Sequence, residues 1–346
     1  MTFRVIPQPR FSARRAAVVR TIRTLATVAG VAAGAAGALA ATAPAAVAQE
    51  VYPNRPVKIV VPYPPGGTTD LLARAVAARL TESLKQTFIV ENRGGASGSI
   101  GTTAVARSAP DGYTLLMATI STHGINPAIS QVPYDPVKDF APVTDVADTP
   151  NVLTTHVNTP YKTLADVLTA ARAKPGAITF GSTSPGGSPH MSGELLKSMS
   201  GADLLHVPYK GGGPMLIDLI GGQIELGFDN LPSSMPHIRA GKLRAIAVTT
   251  TERWPGAPEI PTIAESGLPG YEVSAWFGLL APAGTPKSII DQLQKAVLQS
   301  LRTPDMAAQL MELGAKPVGN TPAEFAGMIE AELAKWRKVA TTNKLQ

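Results

Sequence analysis

Residues 57–70 read VKIVVPYPPGGTTD, and this stretch decides the fold. The run at 57–63 is rich in β-branched residues and has the length of a strand, so it predicts a buried β-strand. The proline- and glycine-rich segment at 64–69 predicts a turn. Beyond the turn, apolar residues at helical spacing predict a helix over 70–84; they are Leu72, Val76 and Leu80. Thr68 or Thr69 is expected to cap this helix, and Asp70 suits its positive end.

The same alternation of strand and helix continues towards the C-terminus. We predict strands at 88–91 and 114–118 with a short helix at 102–107, an order that indicates a parallel sheet with helices on both faces. The pattern restarts after Asp148 and runs to residue 248. Amphipathic helices end the chain, at 286–301, 304–313 and 322–341. The sequence therefore predicts an α/β fold with two lobes joined by short hinge strands, and a helical tail.

The charge of the chain is concentrated at one end. Residues 1–48 hold six of the 31 basic residues and no acidic residue, which leaves 25 basic against 25 acidic residues in the remainder. A neutral protein with 5% aromatic residues does not fit a nucleic-acid-binding protein. The lack of cysteine in the sequence excludes disulfides, cysteine-ligated metals and thiol catalysis.

Residues 1–48 have the layout of a cleaved export signal. A basic stretch with Arg14 and Arg15 precedes an alanine-rich, mildly apolar segment, and Ala46-Val47-Ala48 fits a cleavage site before Gln49. The paired arginines favour the twin-arginine route, but the residues after them complete that motif poorly, so the general route stays open. Because no cysteine is present to carry a lipid anchor, we expect a free periplasmic protein.

Motifs of catalysis and cofactor binding are missing from the sequence. It contains no G-x-S-x-G nucleophile elbow, no G-x-G-x-x-G fingerprint and no Walker loop. Its five histidines show no zinc-like spacing. We therefore expect no catalytic residue, metal or cofactor, and we interpret the chain as a protein that is not an enzyme. A periplasmic hydrolase remains a distant alternative.

Two glycine-rich turns, one in each lobe, are the strongest functional candidates. Residues 66–69 and 182–188 each join the end of a strand to the start of a helix. Helix N-termini offer unpaired N–H groups and a partial positive charge, which can hold a carboxylate without an arginine. Ligands of parallel α/β sheets lie at these strand ends. The alternative is that both are ordinary capped loops, with Ser188 capping a helix that begins at Pro189.

A series of short motifs in a fixed order resembles one family. They include Tyr52-Pro53-Asn54-Arg55-Pro56, PYPPGGTTD at 62–70, Val90-Glu91-Asn92-Arg93, Pro110-Asp111-Gly112-Tyr113, Val207-Pro208-Tyr209-Lys210-Gly211 and Trp276-Phe277-Gly278. Together they span almost the whole mature chain and resemble the Bug-type extracytoplasmic solute receptors of tripartite tricarboxylate transporters. The resemblance implies a type II periplasmic binding protein fold. One lobe would comprise residues 49–150 and 273–346, and the other residues 151–272.

The resemblance also implies where a ligand binds. A small carboxylate would lie in the cleft between the lobes, in contact with Tyr63, Pro65, Gly66, Gly67, Thr68, Thr69, Ser182, Ser184, Ser188, His190 and Asp229. Asp70 is expected to orient the first turn rather than to touch an anion. His190 and Asp229 have a second interpretation, as residues that cap or begin their own helices. Pro185 and Pro189 are expected to stiffen the loop of the second lobe.

These observations favour a periplasmic solute-binding protein. It would capture a small carboxylate and, as a monomer, deliver it to the membrane subunits of a tripartite transporter. Di- and tricarboxylates, acidic amino acids and aromatic acids all suit such a turn, so the ligand stays open. A receptor of the same fold that reports to a sensor kinase is the alternative function.

Overall fold

The computed structural model describes residues 52–343. The expected export signal at 1–48 and its cleavage site lie outside these residues. No helix within 52–343 is long and apolar enough to cross a membrane.

Strands and helices alternate along most of the described chain. The strands are β1 (Val57–Val61), β2 (Phe88–Asn92), β3 (Thr114–Thr119), β4 (Phe140–His156), β5 (Thr179–Ser182), β6 (Leu205–Pro208), β7 (Leu226–Asn230), β8 (Leu243–Val248), β9 (Ser274–Pro282) and β10 (Lys316–Pro317). The α-helices are α1 (Thr68–Leu84), α2 (Ser99–Ala106), α3 (Asn126–Ile129), α4 (Leu164–Ala173), α5 (Ser188–Ser200), α6 (Gly212–Ile220), α7 (Leu231–Arg239), α8 (Lys287–Leu301), α9 (Pro304–Leu313) and α10 (Pro322–Asn343).

The first lobe is built on the strand order β2-β1-β3-β9. β1 pairs in parallel with β2 and β3, whereas β9 runs antiparallel to β3. Val57, Ile59 and Val61 on one face of β1 are completely buried and Val60 on the other face is 1% exposed, as expected for a strand in the centre of a sheet that is covered on both faces. The predicted parallel β-α-β-α-β unit is therefore confirmed.

The second lobe also has three parallel strands. β5 pairs in parallel with β6 and β7, so the carboxyl ends of all three strands point to one edge. β7 and β8 both pair antiparallel with the last residues of β4. Phe180 and Phe228 form the centre of this core, with ring centroids 6.0 Å apart in an edge-to-face contact.

β4 passes from one lobe to the other. Residues 140–150 pair with β9 in the first lobe, and residues 151–156 pair with β7 and β8 in the second. The side chains follow the same division, because Val143 and Val146 belong to the core of the first lobe and Leu153 to that of the second. β4 is thus one of the connections between the lobes.

Sequence patterns did not predict β9 or the first half of β4. Residues 140–150 contain two prolines and two aspartates, and the pairing with β9 shifts register between Pro142 and Thr144 and again between Asp145 and Ala147. An irregular strand of this kind lacks the clean alternation on which the prediction depends. Its pairing with β9 compensates for that irregularity, and such pairing cannot be read from local sequence.

The two predicted side-chain caps are wrong. α1 begins at Thr68 with Gly67 as the N-cap, and α5 begins at Ser188 with Gly187 as the N-cap. Neither N-cap offers a side chain, so no side-chain oxygen caps either helix. The physical reason at α1 is that the Thr68 hydroxyl bonds to Ser233 of the second lobe instead of to its own helix. Neither helix therefore has a side-chain cap on its first turn, although Ser188 N–H donates to Ser121 Oγ and Asp70 N–H donates to the Gly67 carbonyl.

Candidate functional site

The starts of four helices meet around one small chamber between the lobes. The chamber encloses about 30 Å³, room for one or two water molecules. Its wall contains Tyr63, Pro64, Gly67, Thr68, Thr69, Asp70, Thr119, Ile120, Ser121, Thr183, Ser188, Pro189, Gly211, Gly212, Asp229, Asn230, Ala275 and Phe277. Most of these residues follow the carboxyl ends of parallel strands, which is where the sequence predicted a ligand.

The helices that reach the chamber all lack a side-chain cap. α1, α5, α6 and α7 begin after Gly67, Gly187, Gly211 and Asn230, and no N-cap side chain accepts a hydrogen bond from any of them. The wall holds no lysine, arginine or histidine within the described chain. The positive potential in the chamber therefore comes from helix N-termini, which suits an anion that is bound through backbone amides.

Asp70 shapes the turn that precedes α1. Its carboxylate accepts hydrogen bonds from Gly66 N–H at 3.1 Å and from Asn92 Nδ2 at 3.0 Å, and Arg74 Nε donates to it at 3.0 Å. Burial raises the pKa of Asp70, but the hydrogen bonds from Arg74, Asn92 and Gly66 outweigh it and leave the pKa below its usual value. Asn92 also donates to the carbonyl of Tyr63 at 3.1 Å. The prediction that Asp70 orients the turn is confirmed.

A buried amide holds the helix starts of the second lobe. The side chain of Asn151, completely buried in β4, donates to Ser192 Oγ at 2.9 Å and accepts from Asn230 Nδ2 at 2.6 Å. Ser188 Oγ also donates to Asn151 Oδ1, at 3.4 Å. Since Ser188 and Ser192 lie on α5 and Asn230 precedes α7, one residue of β4 fixes two of the four helix starts relative to each other.

The two lobes are in direct contact across the chamber. Thr68 Oγ1 lies 2.9 Å from Ser233 Oγ and accepts from Ser233 N–H at 3.2 Å. On the other side, Ser188 N–H donates to Ser121 Oγ at 3.3 Å. The turn at Gly67 packs against the first turn of α6 with no side chain between them. The structure is therefore that of a closed cleft.

Asp229 places a carboxyl group in the wall of the chamber. One oxygen, Oδ2, accepts from the hydroxyls of Ser233 at 2.6 Å and Ser234 at 2.9 Å. The other, Oδ1, is buried and has no hydrogen-bond partner in the described part of the protein. Burial raises the pKa of Asp229 to about 6, although the two serine hydroxyls and the backbone N–H of Asn230 lower it. In the described chamber wall, Oδ1 of Asp229 is the one oxygen of a titratable group that is buried and has no hydrogen-bond partner.

The predicted contact residues divide into three groups in the structure. Those that line the chamber are Tyr63, Gly67, Thr68, Thr69, Ser188 and Asp229. Pro65 and Gly66 lie in the turn without lining the chamber, where Gly66 adopts a φ of +87°. The remaining predicted residues, Ser182, Ser184 and His190, lie outside the chamber wall.

His190 and the two serines have other partners. His190 Nδ1 accepts from Gly186 N–H at 3.0 Å, and its ring stacks on that of His206 with centroids 4.0 Å apart. Ser182 Oγ lies 2.8 Å from His206 Nε2. Burial lowers the pKa of both histidines, that of His206 to about 4. Ser184 lines a neighbouring cavity of about 250 Å³.

Sequence reasoning did not assign the residues that α6 and β3 bring to the chamber. Gly211 is the N-cap of α6 and Gly212 is its first residue, and Thr119 ends β3 with Ile120 and Ser121 after it. Both segments carry the same signal as the first turn, since each comes directly after a parallel strand and the glycines precede a helix. The sequence did not reveal which strands are neighbours, and this decides whether such a segment reaches the site.

Comparisons with known proteins identify the relatives of this chain. The family model described as "Tripartite tricarboxylate transporter family receptor" matches residues 72–345. Among solved structures, Rpa4515 of R. palustris, solved with adipate, is 43% identical, with 84% of this chain and 98% of that chain covered and a TM-score of 0.82. The periplasmic binding protein BugD is 34% identical, with 85% and 99% covered and a TM-score of 0.81.

A third similar structure is MatC from Rhodopseudomonas palustris with bound malate. It is 35% identical, with 83% of this chain and 99% of that chain covered and a TM-score of 0.78. This chain is similar to the three structures in sequence and in fold over almost their whole length. The two-lobed type II periplasmic binding protein fold predicted from the sequence is therefore confirmed. The chain therefore belongs to the tripartite tricarboxylate transporter receptors, the Bug-type periplasmic solute-binding proteins, which are receptors and not enzymes.

Proposed function

We propose that this receptor captures a small dicarboxylate between its lobes and presents it to the membrane subunits of a tripartite transporter. The observation that carries the proposal is the convergence of four uncapped helix N-termini on one chamber whose described wall holds no cationic side chain. Such a site binds a carboxylate through backbone amides and hydroxyls. The adipate and malate found with Rpa4515 and MatC support the ligand class.

The lobes of the proposal are residues 49–150 with 273–346, and residues 151–272. The change of partner in β4 between Pro150 and Asn151, together with the separate cores on either side, supports the first boundary. The start of β9 at Ser274 supports the second. Because the closed chamber has room for only one or two waters, a dicarboxylate requires the lobes to separate before it can reach the amides.

The proposed contact set follows the predicted residues, with Gly67, Thr68 and Thr69 at its centre. Export through a cleaved signal before Gln49 and a monomeric receptor complete the proposal. The export route, the monomeric state and delivery to a transporter rather than to a sensor kinase stay predictions.

Thermal unfolding and calorimetric titration with adipate and malate test the proposal. A ligand that binds only the folded protein stabilises it by about 2.7 kcal/mol at a hundredfold excess over Kd, so a clear rise in Tm is expected. The matched controls are adipamide and malamide, which keep the shape of each acid and remove its charge. Equal shifts with acid and amide, or no shift with either, would contradict an anion site at the helix N-termini.

Two threonine variants locate the site. Thr69 lines the chamber, and its loss as Thr69→Ala should weaken binding by about 5- to 150-fold if its hydroxyl pairs with a carboxylate. Since α1 has Gly67 as its N-cap, the variant removes no cap and its Tm should change little. Thr103→Ala on α2 is the control, because Thr103 lies outside the chamber wall and its buried hydroxyl has no hydrogen-bond partner among the described residues. Full affinity in Thr69→Ala would remove this residue from the site.

A further inference from the structure

One carboxyl oxygen of Asp229 is buried in the chamber wall without a hydrogen-bond partner among the described residues. Asp229 is 1% exposed and lies at the end of β7, and Oδ2 is occupied by the two serine hydroxyls of α7. Oδ1 has no partner among the described residues. A Cβ added to Gly212 would lie 3.2 Å from Oδ1, so this oxygen adjoins the first turn of α6. Oδ1 therefore lies beside the amides that are proposed to hold the ligand.

The surroundings of Asp229 offer no positive side chain to neutralise it. The other titratable groups in the chamber wall are Tyr63, whose burial raises the pKa of its hydroxyl, and Asp70, whose carboxylate is engaged by Gly66, Asn92 and Arg74. The charged and titratable residues on α7 and on the elements packed against β7 and α7 are, besides Asp70, Arg74, Arg79 and Glu82 on α1, Asp145, Asp148 and His156 on β4, His190, Glu194 and Lys197 on α5, Asp218 on α6, Arg244 on β8, Asp305 and Glu312 on α9, and His237 and Arg239 on α7. None of these side chains forms a hydrogen bond with Asp229 in the described structure.

A bound carboxylate changes the balance at this position. Burial already raises the pKa of Asp229 to about 6, and a second negative charge within a few ångströms disfavours its ionised form further. Two carboxylates that share a site commonly keep one proton between them. The helix N-termini then stabilise a single net negative charge rather than two.

We propose that Asp229 binds the ligand as a neutral carboxylic acid, with Oδ1–H donating a hydrogen bond to one carboxylate oxygen of the ligand. This rests on the proposed function, and it adds that one proton from solvent is taken up with each dicarboxylate at neutral pH. The proton neutralises the Asp229 carboxylate, and the ligand carboxylate stays ionised and accepts the hydrogen bond. The site therefore selects an acceptor at this position and disfavours ligands that place a hydroxyl or an ammonium there.

Calorimetric titration with adipate, in two buffers of different ionisation enthalpy at pH 7.5, counts the protons directly. The expected result is an uptake of between about half and one proton per adipate. Affinity should also fall as pH rises above 6.5, by up to about tenfold per pH unit, because adipate itself is fully ionised there. No net uptake, or an affinity that rises with pH, overturns the role of Asp229.

Two variants assign the proton to this residue. In Asp229→Asn the amide Nδ2 donates in place of Oδ1–H, so adipate affinity at pH 6 should stay within about threefold of wild type while the proton uptake disappears. The control is Asp145→Asn, because Asp145 is another buried acid with a raised pKa and lies outside the chamber wall. Asp145→Asn should keep the uptake. Loss of uptake in Asp145→Asn but not in Asp229→Asn overturns the proposal.

The outcomes separate this inference from the proposed function. If wild type binds neither adipate nor malate, the carboxylate site itself fails and Asp229 loses its role with it. If wild type binds an acid but Asp229→Asn loses more than tenfold in affinity at every pH, Asp229 is an ionised acceptor for a donor on the ligand. That result overturns the neutral-acid role and leaves the proposed function standing.

Discussion

Removal of the Asp70 carboxylate should damage both the stability and the binding site of this receptor. Asp70 is 4% exposed and receives hydrogen bonds from Gly66 N–H and Asn92 Nδ2. The bonds hold the turn between β1 and α1 in the shape that points its amides at the chamber. In Asp70→Ala both donors, whose hydrogen bonds are partly buried, lose this acceptor, and Gly66 loses a contact that fixes its positive φ.

The size of the effect follows from these contacts. A hydrogen bond to a charged acceptor contributes about 1.5–3 kcal/mol, so two such bonds give about 3–6 kcal/mol of unfolding free energy. Arg74 adds little because half of its side chain is exposed. Domains typically have about 5–15 kcal/mol of stability, so the variant should still fold. Adipate binding should weaken at least tenfold as the turn loosens.

Urea unfolding measures this difference, and its pH dependence identifies the cause. The pKa of Asp70 in the folded protein is below its ordinary value, so its contribution is present above that ordinary value and is lost as pH falls through the folded pKa. Wild type and Asp70→Ala should therefore differ most above pH 5, and the difference should begin to shrink only as the pH falls below about 4.

The same helix supplies a matched control. Arg79, one turn beyond Arg74 on α1, pairs with Asp305, whose side chain is 61% exposed. Exposed pairs contribute up to about 1 kcal/mol, so Asp305→Ala should change stability by no more than that and leave binding unchanged. If Asp70→Ala resembles Asp305→Ala in both assays, the turn is held by something other than this carboxylate and the argument is refuted.

Three further outcomes are expected. Gly213→Ala puts a Cβ 2.4 Å from the carbonyl oxygen of Pro65 across the cleft. This contact should destabilise the closed form by about 1–3 kcal/mol and lower its population about 5- to 150-fold, so the radius of gyration in solution scattering should increase. Gly327→Ala is the control, because a Cβ there meets open space and the radius of gyration should not change. Asn151→Ala leaves buried partners unpaired and should lower unfolding free energy by about 2–5 kcal/mol, measured in urea; an unchanged midpoint would contradict the network at the helix starts. Asp229→Asn should be more stable than wild type at pH 7.5 by up to about 3 kcal/mol. The reason is that a buried acid with a raised folded pKa makes the wild-type protein less stable as pH rises from about 4 to 6. Equal pH profiles of unfolding free energy would contradict the burial of this carboxyl.

The sequence alone determined the parallel strands of the first lobe and the place of the first turn. β1, α1, β2 and β3 all lie where periodicity put them, within about two residues at their ends, because each pattern records which side chains face a core on both sides of a sheet. The role of Asp70 was also foreseen, since its partners lie within one strand–turn–helix unit and the neighbouring strand. Local spacing is sufficient wherever a contact is made within such a unit.

Only the tertiary structure decided how the chamber is completed. Gly67 faces Gly212, and Thr68 bonds to Ser233, across more than 140 residues of sequence. These contacts depend on strand order and on the closure of one lobe onto the other, and neither of these produces a periodic pattern in the sequence. His190 shows the same limit, because its ring faces His206 and the backbone of its own loop rather than the chamber. A strand–glycine–helix pattern predicts that a turn can bind an anion, but the packing of the lobes determines which of these turns share one ligand.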